Sequence, residues 1–247
     1  MQHKFDRVLT ETANKVSKIP LFKTILKPLY YPFKNYRKEQ QAKYFRKHAL
    51  NVISQFHDCL TDAGVDYTLA YGTLLGAVRE HGFINYDIDI DVIVWEEQRT
   101  DALYEALRLA GFTKLHMMLL RDGKLGREEA FVKDGVSIDV FYAFDDKEGP
   151  YWVEFKMPEG SASFNSAMKD FGYMVPVKVR LPLSKARMLV PFESIHLYIP
   201  ANADELLKQY YGDNYMTPIK NWIGSIHRPW RNVWDGERAI YTDCYKS

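Results

Sequence analysis

Cysteine is scarce in this chain: Cys59 and Cys244 are the only two among 247 residues, and no C-x-x-C spacing occurs. That excludes a disulfide framework and a thiolate zinc site, and makes a reducing compartment the expected setting. No apolar run reaches the roughly eighteen to twenty residues needed to cross a bilayer. No stretch combines an uninterrupted apolar core with a small-residue cleavage site, so a secretory signal is not expected either. Internal repeats and low-complexity tracts are missing. Net charge is nearly missing as well, at +1.

The small net charge conceals an asymmetry. Residues 1–48 carry twelve Lys or Arg against three acids, which leaves the remainder at −8. Within this basic arm Leu21, Phe22, Ile25, Leu26, Leu29, Tyr30 and Phe33 recur at roughly helical spacing, with Lys23, Lys27 and Lys34 between them. Such a segment either lies on an anionic membrane surface or packs across the rest of the chain. Pro20, Pro28 and Pro32 are expected to break it into short pieces. Nucleic acid is not an expected partner, because the acidic remainder would repel phosphate. The division expected is therefore a basic amphipathic arm at 1–47 and a folded domain at 48–247. Hydrophobic residues at 47% and charged residues at 26% are those of a globular protein long enough to bury a substantial core. Aromatics at 15% suit either carbohydrate handling or a broad aromatic core.

The stretch that organises the domain is Asp87-Ile88-Asp89-Ile90-Asp91, continuing as Val92-Ile93-Val94-Trp95. It reads as a strand in which Asp87, Asp89 and Asp91 share one face and Ile88, Ile90 and Val92 the other. Three like charges in a row repel. Either a divalent cation with oxygen ligands sits over them, or they form a solvated edge that discourages aggregation. Just upstream, residues 65–70 read as a short strand, and Gly72-Thr73 then opens a helical stretch from Leu74 to Glu80. Free backbone N–H groups at such a helix start are a ready anion site, to which Arg79 can add charge.

Around this centre the pattern predicts a helix over 49–63, with Leu50, Ile53, Phe56 and Leu60 apolar and Gly64 as its stop. His48 and His57 on or near it read as surface or satisfied polar positions. A helix is expected over 96–110, then a strand at 115–120. Asp134-Gly135 is a hairpin turn leading into a strand with Ser137, Asp139 and Phe141 on one face. Asp139 could meet Asp89 and Asp91 if the two strands are neighbours. From Asp145 the chain reads as irregular, with short strands at 174–179 and 195–199. Asn202 then caps a helix running through Tyr211 to Gly212. Arg180, Lys185, Arg187 and His196 are candidate phosphate or sugar contacts. A tail holding Trp222, Trp230, Trp234 and Tyr241 is expected to pack back on the domain.

The run from Tyr71 through Gly72-Thr73-Leu74-Leu75-Gly76-Ala77-Val78-Arg79, then Gly82-Phe83-Ile84, then Asp87-x-Asp89-Ile90-Asp91, resembles the LicD family. That family includes bacterial phosphocholine transferases of surface glycans and fukutin-type ribitol-phosphate transferases. The resemblance continues through Val136–Tyr142, Pro191-Phe192-Glu193, Ile199-Pro200 and residues 206–212, and so covers roughly residues 48 to 220. The family often shows an unbroken acidic triplet preceded by Trp where this chain has Tyr86-Asp87-Ile88-Asp89.

The resemblance implies an α+β, nucleotidyltransferase-like mixed β-sheet flanked by helices. It implies Asp89, Asp91 and Asp139 as catalytic carboxylates holding Mg²⁺ or Mn²⁺, and Gly72, Thr73 and Arg79 on nucleotide phosphates. Asp139 would complete the metal site or accept a proton, and the residues leave both roles open. The activity implied is transfer of phosphocholine, ribitol phosphate or glycerol phosphate from a CDP-linked donor to a hydroxyl of a surface glycan or its precursor, with CMP released. The expected partners are that donor, the glycan acceptor and, through the arm, a membrane surface. The expected location is the cytoplasm or the cytoplasmic face of the inner membrane. The alternative is a nucleotidyltransferase that attaches NMP and releases pyrophosphate. A glycosyltransferase is disfavoured because the Gly-Thr turn lies only about fifteen residues ahead of the acids. A non-catalytic binding module is disfavoured because turn, Asp pair and third Asp are all present.

Overall fold

The computed structural model describes residues 27–218 and 230–245, with side chains from residue 36 onward apart from 37 and 38. The expectations for residues 1–26 and for Trp222 lie outside it. The first described element is α1 (Lys27–Asp62), whose Phe45, Ala49, Val52, Ile53, Phe56 and Leu60 form one buried stripe. It ends where Gly64 takes φ +67°, with Gly64 N–H on Thr61 O (3.0 Å) and Val65 N–H on Leu60 O (2.9 Å). That paired arrangement satisfies two of the carbonyls a helix end orphans. The expected boundary at 47/48 falls inside this helix. Nor do Pro28 and Pro32 break it: Pro28 sits in the first turn, where its missing N–H has no partner to lose, and Pro32 costs a single bond near the end.

The chain continues through β1 (Tyr67–Leu69), α2 (Tyr71–Arg79), β2 (Ile90–Trp95), a 3-10 turn at Glu96–Gln98, α3 (Asp101–Leu109), β3 (Thr113–Leu120), β4 (Gly126–Lys133) and β5 (Val136–Asp146). Then come β6 (Gly149–Lys156), α4 (Phe164–Asp170), β7 (Val175–Val179), β8 (Arg187–Phe192), β9 (Ile195–Pro200), α5 (Ala203–Tyr211), β10 (Arg231–Val233) and β11 (Ile240–Asp243). The fold is mixed α/β: five helices among the described residues, a nine-stranded sheet, and a separate β8–β9 hairpin. No described helix is long and apolar enough to cross a membrane.

The sheet turns on β5. Its first half lies between β2, which runs parallel to it, and β4, which runs antiparallel; its last three residues pair with β6. Because β5 changes partner along its length, the sheet curls. Asp134 (φ +47°) and Gly135 (φ +74°) make the two-residue turn that fixes Lys133 opposite Val136. On one face of β5, Tyr142 OH donates to Glu129 Oε2 (3.0 Å), and Tyr104 of α3 donates to Glu129 Oε1 (3.1 Å). Ser137, Asp139 and Phe141 take the other face.

Several local expectations change. The helix expected over 96–110 divides into the 3-10 turn and α3, whose buried residues are Leu103 and Leu107. The region read as irregular after Asp145 contains β6, because Tyr151, Trp152 and Val153 are buried. Pro150 is tolerated at the second position of that strand, opposite Asp145. It also contains α4, opened by a capping box in which Ser163 and Ser166 each accept the other's backbone N–H (3.2 and 2.9 Å). Asn202 does precede α5, but its side chain does not cap it. Instead its Oδ1 accepts Ser184 N–H (3.1 Å) and its amide donates to Pro182 O and to Glu205 Oε2 (3.2 Å). Trp230 packs back as expected, against Tyr210 at 4.7 Å and with its indole N–H on Gln209 O (2.9 Å).

Candidate functional site

β2 and β5 are neighbours, and their register sets Asp91 directly beside Asp139. Residues in register on parallel strands project to the same face, so two carboxylates stand side by side across a spacing of about 4.8 Å between strands. The same segment of β2 is tied to α2. Asp91 N–H donates to Thr73 Oγ1 (3.0 Å), and Asp91 O accepts Ala70 N–H (3.0 Å). Thr73 is 1% exposed. Its oxygen therefore serves β2, which leaves the backbone amides of the turn for an anion.

Those amides belong to the first turn of α2, which starts three residues earlier than expected, at Tyr71, with no side-chain cap. Helix geometry leaves the N–H groups of residues 71–73 without an intrahelical partner. Tyr71 adopts φ +44°, a left-handed conformation rare for a tyrosine. A buried network holds it there. Tyr71 OH accepts from Trp152 Nε1 (2.5 Å) and donates to Glu154 Oε1 (2.9 Å), on which Tyr210 OH also donates (2.7 Å). Arg231 closes the set on Glu154 Oε2 at 2.6 Å.

Asp87 and Asp89 do not continue the strand; β2 begins at Ile90. Asp87 instead closes a turn on Ile84, donating its N–H to Ile84 O (3.0 Å) and accepting Ile84 N–H on Oδ2 (3.1 Å). That local bond competes successfully with an extended backbone. Ile88 consequently faces outward at 38% exposure rather than packing, beside Tyr86 at 69%. The turn lays the Asp87 carboxylate over Gly72, with Oδ1 3.4 Å from where a Cβ on that glycine would stand.

The carboxylates reinforce one another. Burial pushes Asp87 and Asp139 up to about 7 each, and the charge of Asp89 adds to both shifts. The bond from Ser137 Oγ to Asp139 Oδ1 (3.1 Å) offsets part of the Asp139 shift. Burial also raises Asp91, with Asp89, Asp139, Asp87 and Glu128 all repelling its charge. Asp89, although outside the strand, adds its negative charge to that of both Asp91 and Asp139. Among the described residues no Lys or Arg forms an ion pair with these four aspartates. No three carboxylates there converge at metal-ligand spacing either. The donors are nonetheless all hard oxygens, with Asp91 and Asp139 side by side on one face and no cation paired to them among the described residues, and that chemistry fits a hard divalent cation.

Arg79 is placed differently from the expectation. It closes the far end of α2, about 10 Å along the axis from Gly72. Its guanidinium bonds Glu80 Oε1 (2.8 and 3.2 Å) and Tyr215 O (3.4 Å). Its field reaches Asp87, where it opposes the upward shift. The other candidate cations are committed to nearby acids: Arg180 to both oxygens of Asp146 (2.9 and 2.8 Å), Lys185 to Glu97 (2.6 Å) and Arg187 to Asp66. His196 is exposed on β9. His57 Nδ1 pairs with Tyr67 OH at 2.8 Å, and His48 stacks on Tyr44 at 4.4 Å.

Sequence reasoning missed Glu128 on β4, which lies opposite Phe141 on the face of Asp139 and is 8% exposed. A signal was there. Counting back from the two-residue turn at Asp134-Gly135 sets Glu128 and Ala130 against Phe141 and Asp139.

The family model described as LicD/FKTN/FKRP, nucleotidyltransferase domain, matches residues 64–202. Among curated proteins, the ribitol-5-phosphate transferase FKTN of Mus musculus is 26% identical over 187 residues, covering 73% of this chain and 36% of that protein. The Homo sapiens protein of the same name is 25% identical over 188 residues, with 74% and 36% covered. The lipopolysaccharide cholinephosphotransferase LicD of Haemophilus influenzae is 41% identical over 49 residues, 20% of this chain and 18% of that one. The match thus spans little more than a third of the FKTN proteins' length.

Proposed function

This chain belongs to the LicD/FKTN/FKRP family, and on that premise we propose that it is a phosphotransferase of glycan synthesis. It moves a phospho-alcohol (phosphocholine, ribitol phosphate or glycerol phosphate) from a CDP-linked donor to a sugar hydroxyl, and CMP leaves. The fold it uses is nucleotidyltransferase-like. The observation that carries this reading is the juxtaposition of Asp91 with Asp139, tied through Thr73 Oγ1 to an uncapped helix start.

Each part has a role. The amides of residues 71–73, with Gly72 allowing close approach, hold the donor's phosphate oxygens. Asp91 and Asp139, with Asp89 ahead of them, would hold Mg²⁺, or Mn²⁺ in its place. A cation bound there neutralises phosphate oxygens and templates an in-line displacement. Asp87 orders the turn that carries Asp89. Arg79, at the far end of α2, adds a positive field that favours the charged form of Asp87. The basic arm gives peripheral contact with an anionic membrane at the cytoplasmic face, where lipid-linked glycan precursors are at hand.

The test is product analysis by mass spectrometry, with Mg²⁺ and a panel of CDP-alcohols, CTP and UDP-sugars. CMP from one CDP-alcohol establishes the class and identifies the donor. Pyrophosphate from CTP would instead make the protein a nucleotidyltransferase.

A further inference from the structure

Two glutamates of β4, Glu128 and Glu129, are buried and a third, Glu154 of β6, is half-buried, and their surroundings differ. Glu129 is fully buried and takes bonds from Tyr104, Lys114, Arg127 and Tyr142 (2.9 to 3.1 Å). Glu154 takes them from Tyr71, Tyr210 and Arg231. Glu128, 8% exposed, has no hydrogen-bond donor and no ion-pair partner among the described residues. Its oxygens are not among the fully enclosed polar atoms left without a partner, so they keep contact with the outside, where a ligand can reach them. Register places it on the face of Asp139, diagonally across one strand boundary. Residues in that relation are about 7–8 Å apart, their Cβ atoms somewhat less, which leaves room for a hydroxyl between the two carboxylates.

We propose that Glu128 receives the acceptor hydroxyl and takes its proton as the new phosphorus–oxygen bond forms. The assignment rests on the phosphotransferase reading and deepens it. The hydroxyl oxygen bonds to the phosphorus that bears the alcohol, and the bond from that phosphorus to the bridging oxygen breaks. Its electron pair leaves with CMP, and the hydroxyl proton passes to a Glu128 carboxylate oxygen. Asp139, in register beside Asp91, is then free to act as a cation ligand, which resolves its two candidate roles. The charged groups facing Glu128 are Asp139 on β5, Asp91 on β2 and Glu154 on β6. Burial, with repulsion from Asp139 and Glu154, raises its proton affinity, as suits a proton acceptor.

The test compares wild type, Glu128→Gln and Glu128→Asp, using the CDP-alcohol that wild type accepts, its glycan acceptor and Mg²⁺. Gln keeps the shape and cannot take the proton. Its kcat should fall by about 10²- to 10⁴-fold, while CDP-alcohol affinity by equilibrium titration stays within about twofold. The ascending limb of kcat against pH should disappear in Gln and persist in Asp, with part of the rate. If the Gln variant fails to fold by circular dichroism, the Asp variant decides: a lowered kcat with the limb kept supports the assignment, and an unchanged kcat refutes it. A Gln variant with wild-type kcat, or one whose loss is entirely in donor affinity, refutes the assignment alone. A wild type that releases no CMP from any donor refutes the phosphotransferase reading and this assignment with it.

Discussion

Thr73→Val removes one oxygen from a position that is 1% exposed and keeps the β-branched shape. The structure gives that oxygen a defined task, accepting Asp91 N–H at 3.0 Å. With Val in place the Asp91 amide loses its acceptor beneath the start of α2, and leaving a buried donor unsatisfied costs about 1–3 kcal/mol. In a domain of this size each kcal/mol lowers Tm by about 2–4 °C, so a fall of roughly 2–12 °C follows. Thr73→Ser is the control. It keeps the acceptor and loses only a methyl, worth about 0.8 kcal/mol. Urea and thermal unfolding of the three proteins should therefore rank wild type, Ser, Val. The same bond sets the distance between the α2 amides and Asp91, so Val should also lower turnover more than Ser does. A Val variant as stable and as active as wild type would refute the claim that this hydroxyl joins the two halves of the site.

Other outcomes follow from the same geometry. A Cβ on Gly76 would collide with the Gly82 carbonyl oxygen, which is backbone and cannot swing aside, so Gly76→Ala should cost about 1–3 kcal/mol in urea unfolding. Tyr71→Phe strips a hydroxyl that bonds both Trp152 and Glu154; a loss of about 1–3 kcal/mol and a weaker donor affinity are expected, measured by urea unfolding and equilibrium titration. Asp87 and Asp139 hold protons up to about 7 when folded, against 3.8 for an ordinary aspartate. The folded state therefore binds more protons than the unfolded one between those values. The stability these groups contribute is complete below about pH 4 and is lost as pH rises through 7. In EDTA the urea midpoint should fall between pH 5 and 8, less steeply in Asp139→Asn, and Mg²⁺ should recover it at pH 8 in wild type but not in that variant.

What the sequence makes legible is local. Alternating acids with β-branched neighbours, the Gly-Thr helix start and the Asp134-Gly135 turn each follow from a few adjacent residues. The relation between Asp91 and Asp139 is only conditional at that level, because α3, β3 and β4 intervene and no short-range rule fixes a parallel register across them. The strand starts three residues later than its periodicity suggests because a single side-chain bond, from Ile84 N–H to Asp87, outweighs that periodicity there. Arg79 is close to the anion turn in sequence and distant from it in space; seven helical positions separate the two ends. Glu128 is hidden in a different way, since the turn that places it is recognisable but has to be counted back through a whole strand. The strand β6 lies behind Gly149-Pro150, a pair that ordinarily signals a loop.

The most direct test is CMP release by wild type and Asp91→Asn, assayed side by side with the accepted CDP-alcohol and Mg²⁺, each confirmed folded by its urea midpoint. The account predicts CMP from wild type and none above background from the variant, whose charge is lost while its backbone bonds to Thr73 and Ala70 remain. A folded Asp91→Asn protein that releases CMP at the wild-type rate would contradict it.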